Sequence, residues 1–294
     1  MRNDDRIHVS MVADGPYKKG LEVAKDSIVA SCSDPSRLVF HFFGDDEVLS
    51  ERIRQELGTY KGSPMAFVRL YLGELLADVD WVVYSDVDTL WYRDVVELWN
   101  ARDESKMIQW VQDIPSTRSE ASVWQRRINP GFDESRYGCS GVMLMNLRKM
   151  RDEGFLEKAI EFTREHGLFK YVDQDILNAL CNKSCGMLPG CWDVLIPSPE
   201  NAPHCVLHLT GVGRCFASPY TGKVLQYLYW QHVVRGTPFR RPLALPFYLR
   251  DWMIRICLPF AGVVLRDRIR RHFAYRWFFR KYYSANFGLT CTLT

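Results

Sequence analysis

The chain of 294 residues is 47% hydrophobic and 25% charged, with a net charge of +3. These values describe an ordinary globular protein with room for a large core and, by length, for two domains. They exclude a low-complexity or repeat chain, and the 9 cysteines, an odd number without any Cys-x-x-Cys, fit reduced thiols of a cytosolic protein better than a disulfide framework or a zinc finger.

In chain order, the opening Met-Arg-Asn-Asp-Asp-Arg leads straight into a strand-like run at 7–13, without a signal-peptide apolar region. Further short, β-branched or aromatic runs predict strands at 38–43, 81–86, 107–111, 141–145 and 205–209. Helical spacing predicts helices near 20–30, 46–57, 65–77, 149–165 and 174–182. Asp173 is available as N-cap of the last helix, with Asp175 in its first turn. Alternating strands and helices predict an α/β fold with a mostly parallel sheet and helices on both faces. The segment Ser116 to Arg136 has little periodicity and contains Asn129-Pro130-Gly131, so it is expected to be a loop over the site. No apolar run approaches the roughly 20 residues of a membrane span; the longest, Ile256 to Leu265, contains Pro259.

The strongest chemical signal is Asp80-Trp-Val-Val-Tyr-Ser-Asp86-Val87-Asp88. Here a buried-strand pattern ends in two carboxylates at the sheet edge where open α/β folds bind ligands. In an extended chain Asp86 and Asp88 point to one side. Two carboxylates that close repel unless a cation lies between them, and a hard divalent ion with oxygen ligands suits that need. The same two residues would also serve simply as turn caps. Other candidates carry similar double readings. Asp14-Gly15-Pro16 has the composition of a turn. Arg69 lies in an amphipathic pattern with Phe67, Leu70 and Tyr71, where a snorkelling arginine is expected. His208 ends a strand and is followed by Thr210-Gly211-Val-Gly-Arg214, a small-residue loop able to approach phosphate oxygens.

Taken together, Val12-Ala13-Asp14, the helix around Arg69, Asp86-Val87-Asp88, Ser140-Gly-Val-Met-Leu-Met-Asn146, Asp173-Gln174-Asp175 and His208-Leu-Thr-Gly211 occur in the order found in glycosyltransferase family 8. The chain resembles that family, whose retaining enzymes include glycogenin and bacterial lipopolysaccharide galactosyl- and glucosyltransferases. The resemblance implies a glycosyltransferase-A fold and a UDP-sugar donor. It further implies that Asp86, Asp88 and His208 hold the metal, with Mn²⁺ favoured over Mg²⁺ because one ligand is an imidazole nitrogen. By the same resemblance Ala13, Asp14 and Tyr17 contact the uridine, with Asp14 on the uracil ring and Tyr17 stacked upon it. Arg69, Val87, Ser140, Gly211 and Arg214 then line the diphosphate and sugar, while Asp173 and Gln174 flank the anomeric carbon. Two positions depart from the family pattern: Pro16 replaces a polar base contact, and Cys139 replaces an Asn that holds a sugar hydroxyl.

The modest net charge hides an asymmetry. From Arg235 to Lys281 there are 12 basic residues against Asp251 and Asp267, a net +10, while the other residues, 26 basic and 33 acidic, sum to −7. Residues 1–234 are therefore expected to form the catalytic domain and 235–294 a basic, aromatic, mainly helical extension. Its mixture of Arg with Phe247, Tyr248, Trp252, Phe260, Phe273, Trp277, Phe278 and Tyr282 is that of an interfacial segment on an anionic membrane. The expected setting is the cytoplasmic face of a membrane, with a saccharide or glycolipid acceptor such as lipopolysaccharide or capsule, and no nucleic acid. Two other functions share parts of this pattern. A sugar-phosphate nucleotidyltransferase would need a Gly-rich loop with Arg or Lys after the first strand, where only Gly15 stands. A non-catalytic sugar-nucleotide or glycan-binding protein would not need both Asp86 and Asp88 with His208.

Overall fold

The structure, a computed structural model, describes residues 5–60, 62–113, 120–168, 170–195 and 205–208. Strand β1 (Ile7–Val12) is followed by helix α1 (Lys18–Ser31), β2 (Leu38–Phe43) and α2 (Glu47–Glu56). Next come a 3₁₀ stretch, Met65–Tyr71, continued by the short α3 (Leu72–Leu75), then β3 (Trp81–Ser85) and β4 (Thr89–Trp91). Helix α4 (Val95–Asn100), β5 (Ile108–Gln112), α5 (Glu120–Ile128) and the long β6 (Gly138–Asn146) lead into α6 (Leu147–Asp152) and α7 (Phe155–His166). The described fold closes with α8 (Val172–Cys181), β7 (Cys185–Met187), a 3₁₀ turn at Gly190–Trp192 and β8 (Val206–His208).

Six strands form one sheet in the order β2-β1-β3-β6-β5-β7. β1 runs parallel to β2 and β3, and β5 runs parallel to β7, whereas β6 is antiparallel to both of its neighbours. Five strands thus point one way, and the sheet is mostly parallel, as the alternation of elements predicted. Every residue of β3 and of β6 is buried, the pattern of strands covered on both faces. Met65, Phe67, Val82, Tyr84, Trp110, Met143 and Ile176 join one apolar cluster, on the face covered by α8. Val9, Met11, Ala24, Ile28, Val83, Trp91 and Leu144 join a second on the opposite face. Period-two alternation explains the division: Val82 and Tyr84 enter one core while Trp81 and Val83 enter the other.

Several local expectations are corrected. The expected loop at 116–136 contains α5 and a further 3₁₀ turn, Glu134–Arg136, with residues 114–119 outside the described set. Its buried face is Ala121, Ser122 and Gln125, largely polar residues, so the helix leaves no apolar stripe in the sequence. The helix expected at 149–165 is two helices, because Gly154 adopts a left-handed φ of 61° between them. The helix expected at 65–77 is mostly 3₁₀. Asp173 is not the N-cap of α8; Tyr171 occupies that position, and its N–H donates to Asp175 Oδ2 over 2.7 Å. Asp86 and Asp88 are not on one extended strand either, since β3 ends at Ser85 and a turn follows.

Candidate active site

The reversed strand builds the site. Because β6 runs against β3, its first residues lie beside the C-terminal end of β3, and Ser85 pairs with Val142. The pairing continues one step as Asp86 N–H donates to Gly141 O over 2.7 Å. The chain then turns, with Thr89 Oγ1 donating to Asp86 O over 2.8 Å, while Val87 is buried in the second apolar cluster.

A second ladder delivers the third group. β4 and β8 pair antiparallel, with Thr89 opposite His208. His208 Nε2 therefore lies 3.4 Å from Asp88 Oδ1 and 3.6 Å from Asp86 Oδ2. The three ligand atoms all fall within 4.8 Å of one another. Such spacing suits a divalent ion, whose ligands at about 2.1 Å stand roughly 3–3.5 Å apart. Partial burial pushes the Asp86 carboxyl above the usual carboxylate range, against the pull of Arg69 and with the help of Asp88. Burial alone would lower the His208 imidazole, but the charges of Asp193 and Asp88 carry it well above the ordinary histidine range. Both shifts express a negative cluster short of positive charge, the condition a cation relieves. The ring fits because residue 141 is glycine: a Cβ there would overlap the imidazole.

Arg69 ties the carboxylates to the neighbouring helix. It is buried rather than snorkelling, donating Nη2 to Asp86 Oδ1 over 2.9 Å and Nη1 to Ser140 O over 2.7 Å, with Nε 3.1 Å from Asp173 Oδ2. Its guanidinium stacks 4.4 Å from the centre of the Tyr84 ring, whose hydroxyl donates to Asp86 Oδ1 over 2.9 Å. Burial pushes the Asp173 carboxyl up to about 6, with Arg69 opposing and Asp86 adding to the rise. Gln174, one residue on, is held at both ends of its amide. Its Oε1 accepts from Ser140 N–H over 3.0 Å, and its Nε2 donates to Asp113 Oδ2 over 3.0 Å. Tyr137 closes this buried set by donating to Asp175 Oδ1 over 2.7 Å.

At the same sheet edge, β1 ends beside β3, so Ala13 and Asp14 emerge near Asp86. Ala13 N–H donates to Phe43 O over 2.9 Å, and Asp14 Oδ2 accepts from Ser63 Oγ over 2.5 Å. Tyr17 is 40% exposed. Gly211, Arg214 and the whole 235–294 extension lie outside the described residues.

The structure thus gathers Asp86, Asp88, His208, Arg69, Asp173, Gln174 and Ser140, with Asp14 and Tyr17 at the end of β1. It also adds Asp113, Asp193 and Tyr137, which sequence reasoning missed. Asp193 Oδ1 lies 2.9 Å from His208 Nδ1. None of the three belongs to a local motif; each is brought in by strand pairing across a long stretch of chain.

Comparison with known proteins follows the same outline. Residues 27–208 match the profile of Glycosyl transferase family 8. A Haemophilus influenzae protein provisionally named a glycosyltransferase is 36% identical over 52 residues, 17% of this chain and 16% of its own length. Among solved structures, the apo bifunctional glycosyltransferase WbbM has a TM-score of 0.61 at 15% identity, covering 83% of this chain and 52% of that one. The galactosyltransferase LgtC, solved with donor and acceptor sugar analogues, has a TM-score of 0.56 at 23% identity, covering 70% of this chain and 87% of its own. The chain therefore spans about half of WbbM and a sixth of the Haemophilus protein. At these identities the structural likenesses establish the fold.

Proposed function

The chain belongs to glycosyltransferase family 8, and from that membership we propose that it is a metal-dependent, retaining hexosyltransferase that uses a UDP-sugar. The observation that carries this reading is the convergence of Asp86, Asp88 and His208 Nε2 at the end of β3. Two carboxylates and an imidazole suit Mn²⁺ or Mg²⁺, the former favoured by nitrogen. A divalent cation held there would neutralise charge developing on the departing diphosphate, where preorganised electrostatics contribute most.

The remaining roles belong to the chain's own side chains. Arg69 braces Asp86 and Asp173 in fixed positions. Gln174, locked by Ser140 and Asp113, would present an oriented amide beside the anomeric carbon. Asp14 and Tyr17 would receive the uracil, with Ala13, Val87 and Ser140 lining the nucleotide and sugar, and Gly211 and Arg214 the diphosphate. Asp173 is held by Arg69 and Asp175 by Tyr137, which supports a front-face reaction in which the leaving phosphate helps to deprotonate the acceptor. Galactosyl transfer in LgtC supports a hexose donor, glucose or galactose. The acceptor is read as a glycan or lipid-linked saccharide, approached from the cytoplasmic face through the basic residues 235–294.

Donor-only UDP release tests the reading. With Mn²⁺ and a panel of UDP-hexoses, the wild type should release UDP, and Asp88→Asn should abolish release while keeping the far-UV spectrum. Unchanged release by that variant, or full release in excess chelator, would overturn the metal assignment.

A further inference from the structure

His208 is gripped from behind. Its Nδ1 lies 2.9 Å from Asp193 Oδ1, while its Nε2 faces Asp88 and Asp86 at 3.4 and 3.6 Å. A neutral imidazole carries its proton on one nitrogen and a lone pair on the other, and the partner of one nitrogen decides which. A carboxylate accepts, so the Asp193 contact keeps a proton on Nδ1, and an ion that displaces the proton from Nε2 meets that nitrogen's lone pair between the two aspartates. The Asp193 side chain has 0% exposure. Backbone bonds fix its approach: Val194 N–H donates to Val206 O over 2.8 Å, and His208 N–H donates to Val194 O over 3.0 Å. Asp193 Oδ2 has no hydrogen-bond partner among the described residues, so this buried carboxylate is committed to His208.

Cys139, Asp193 and His208 also lie close enough together to suggest a second ion site. The separations argue otherwise. Nδ1 and Oδ1 at 2.9 Å are hydrogen-bonded, and Cys139 Sγ is 3.8 Å from the same nitrogen, which then has no lone pair to offer.

We propose that Asp193 is a positioning residue: it fixes His208 in the Nδ1–H tautomer and thereby aims Nε2 at the site formed with Asp86 and Asp88. The inference rests on the metal reading given above. Carboxylates placed behind metal-binding imidazoles orient the ring and raise its basicity, and their loss typically weakens metal affinity about 10–100-fold.

The test is Mn²⁺ binding to the full chain without donor, followed by the electron paramagnetic resonance of free Mn²⁺, with ¹⁵N imidazole spectra of the protein saturated with diamagnetic Mg²⁺. Asp193→Asn should bind Mn²⁺ about 10–100-fold more weakly than wild type. It should melt close to wild type in chelator and lose the Nδ1–H signature of His208, a signal identified by its absence from His208→Gln. Cys139→Ser should bind as wild type. Equal Mn²⁺ affinity in Asp193→Asn would overturn the proposal while leaving the metal reading intact. So would an Nε2–H tautomer of His208 in the wild-type spectrum, a measurement that needs no variant to fold. Loss of binding in Cys139→Ser, together with a thiolate-to-metal band in the Co²⁺-loaded protein, would move the ion to the other cluster. A wild type that binds no Mn²⁺ overturns the metal reading itself, and this inference with it.

Discussion

Gln174 illustrates how a single position carries two demands. Its amide satisfies the Ser140 N–H on one side and the Asp113 carboxylate on the other, inside the protein. Truncation takes one hydrogen bond from each, at about 1–3 kcal/mol where a buried polar group is left unpaired. We therefore expect Gln174→Ala to lower the melting temperature and to lower kcat far more than it weakens UDP binding, because the oriented amide matters most in the transition state. Calorimetric UDP affinity beside steady-state kinetics checks this, and parallel losses in both would mean a collapsed helix start instead. The sequence exposed Gln174, Asp86 and Asp88 because each belongs to a short local pattern. It hid Asp113 and Asp193, whose partners are set by strand pairing. It also offered a local explanation for Asp173, an N-cap, where the fold supplies a distant one, Arg69.

At the scale of elements, legibility followed hydrophobic period. β3 and β6 were readable because strands covered on both faces are apolar runs. Helix α5 was not, since Ser122 and Gln125 form its buried face. The three-residue strands β4 and β7 are too short to show any period. The paired strands β1 and β2 carry a further, testable property. His8 Nδ1 and His41 Nε2 stand 2.8 Å apart, their rings stacked at 5.1 Å, with Trp99 beside them. Burial, then the neighbouring His8, holds the His41 imidazole below the ordinary histidine range. The unfolded chain thus takes up this proton first, near pH 6.5. The contribution of His41 to stability is full above that pH and is lost as the pH falls through it toward the folded value. Urea midpoints should accordingly decline as the pH falls below about 6.5, and His41→Gln should flatten part of the decline. Curves for the two proteins that stay parallel across this range would remove the His pair from the account.

For the whole molecule the governing feature is its division of charge, net −7 outside residues 235–281 and +10 within them. Among the described residues no helix is long and apolar enough to cross a membrane. We propose the basic, aromatic segment 235–294 as the attachment to an anionic surface, on its composition. At about 1 kcal/mol for each basic residue near such a surface, four contacts would raise partitioning nearly a thousandfold. Salt should weaken this binding without abolishing it, since apolar burial is not screened. Co-sedimentation with anionic and neutral vesicles, comparing the full chain with one ending near Arg235, measures it. A full chain left in the supernatant with both vesicles, or a truncation that binds equally, removes the attachment role. Sequence alone exposed this asymmetry because charge is additive along the chain, whereas the acceptor it would serve depends on surface shape that no linear pattern encodes.

The β4–β8 ladder has a consequence for the chain's internal breathing. Among the described residues it joins 89–91 to 206–208 through three residue pairs, outside the six-stranded sheet, with Val194 bridged to Leu207 on the other side of β8. A ladder this short, closed outside the main sheet, should open by local fluctuation before the sheet unfolds. Each opening would carry His208 away from Asp86 and Asp88, dismantling the site without denaturing the protein. An ion bound by all three would act as a clasp, favouring the closed form in proportion to its concentration over its dissociation constant. Amide exchange at Leu90, Trp91 and Leu207 should therefore be fast in chelator beside that of β6, and slow markedly as Mn²⁺ is added. Exchange as slow as in β6 without metal would mean that the ladder is held shut by the protein alone.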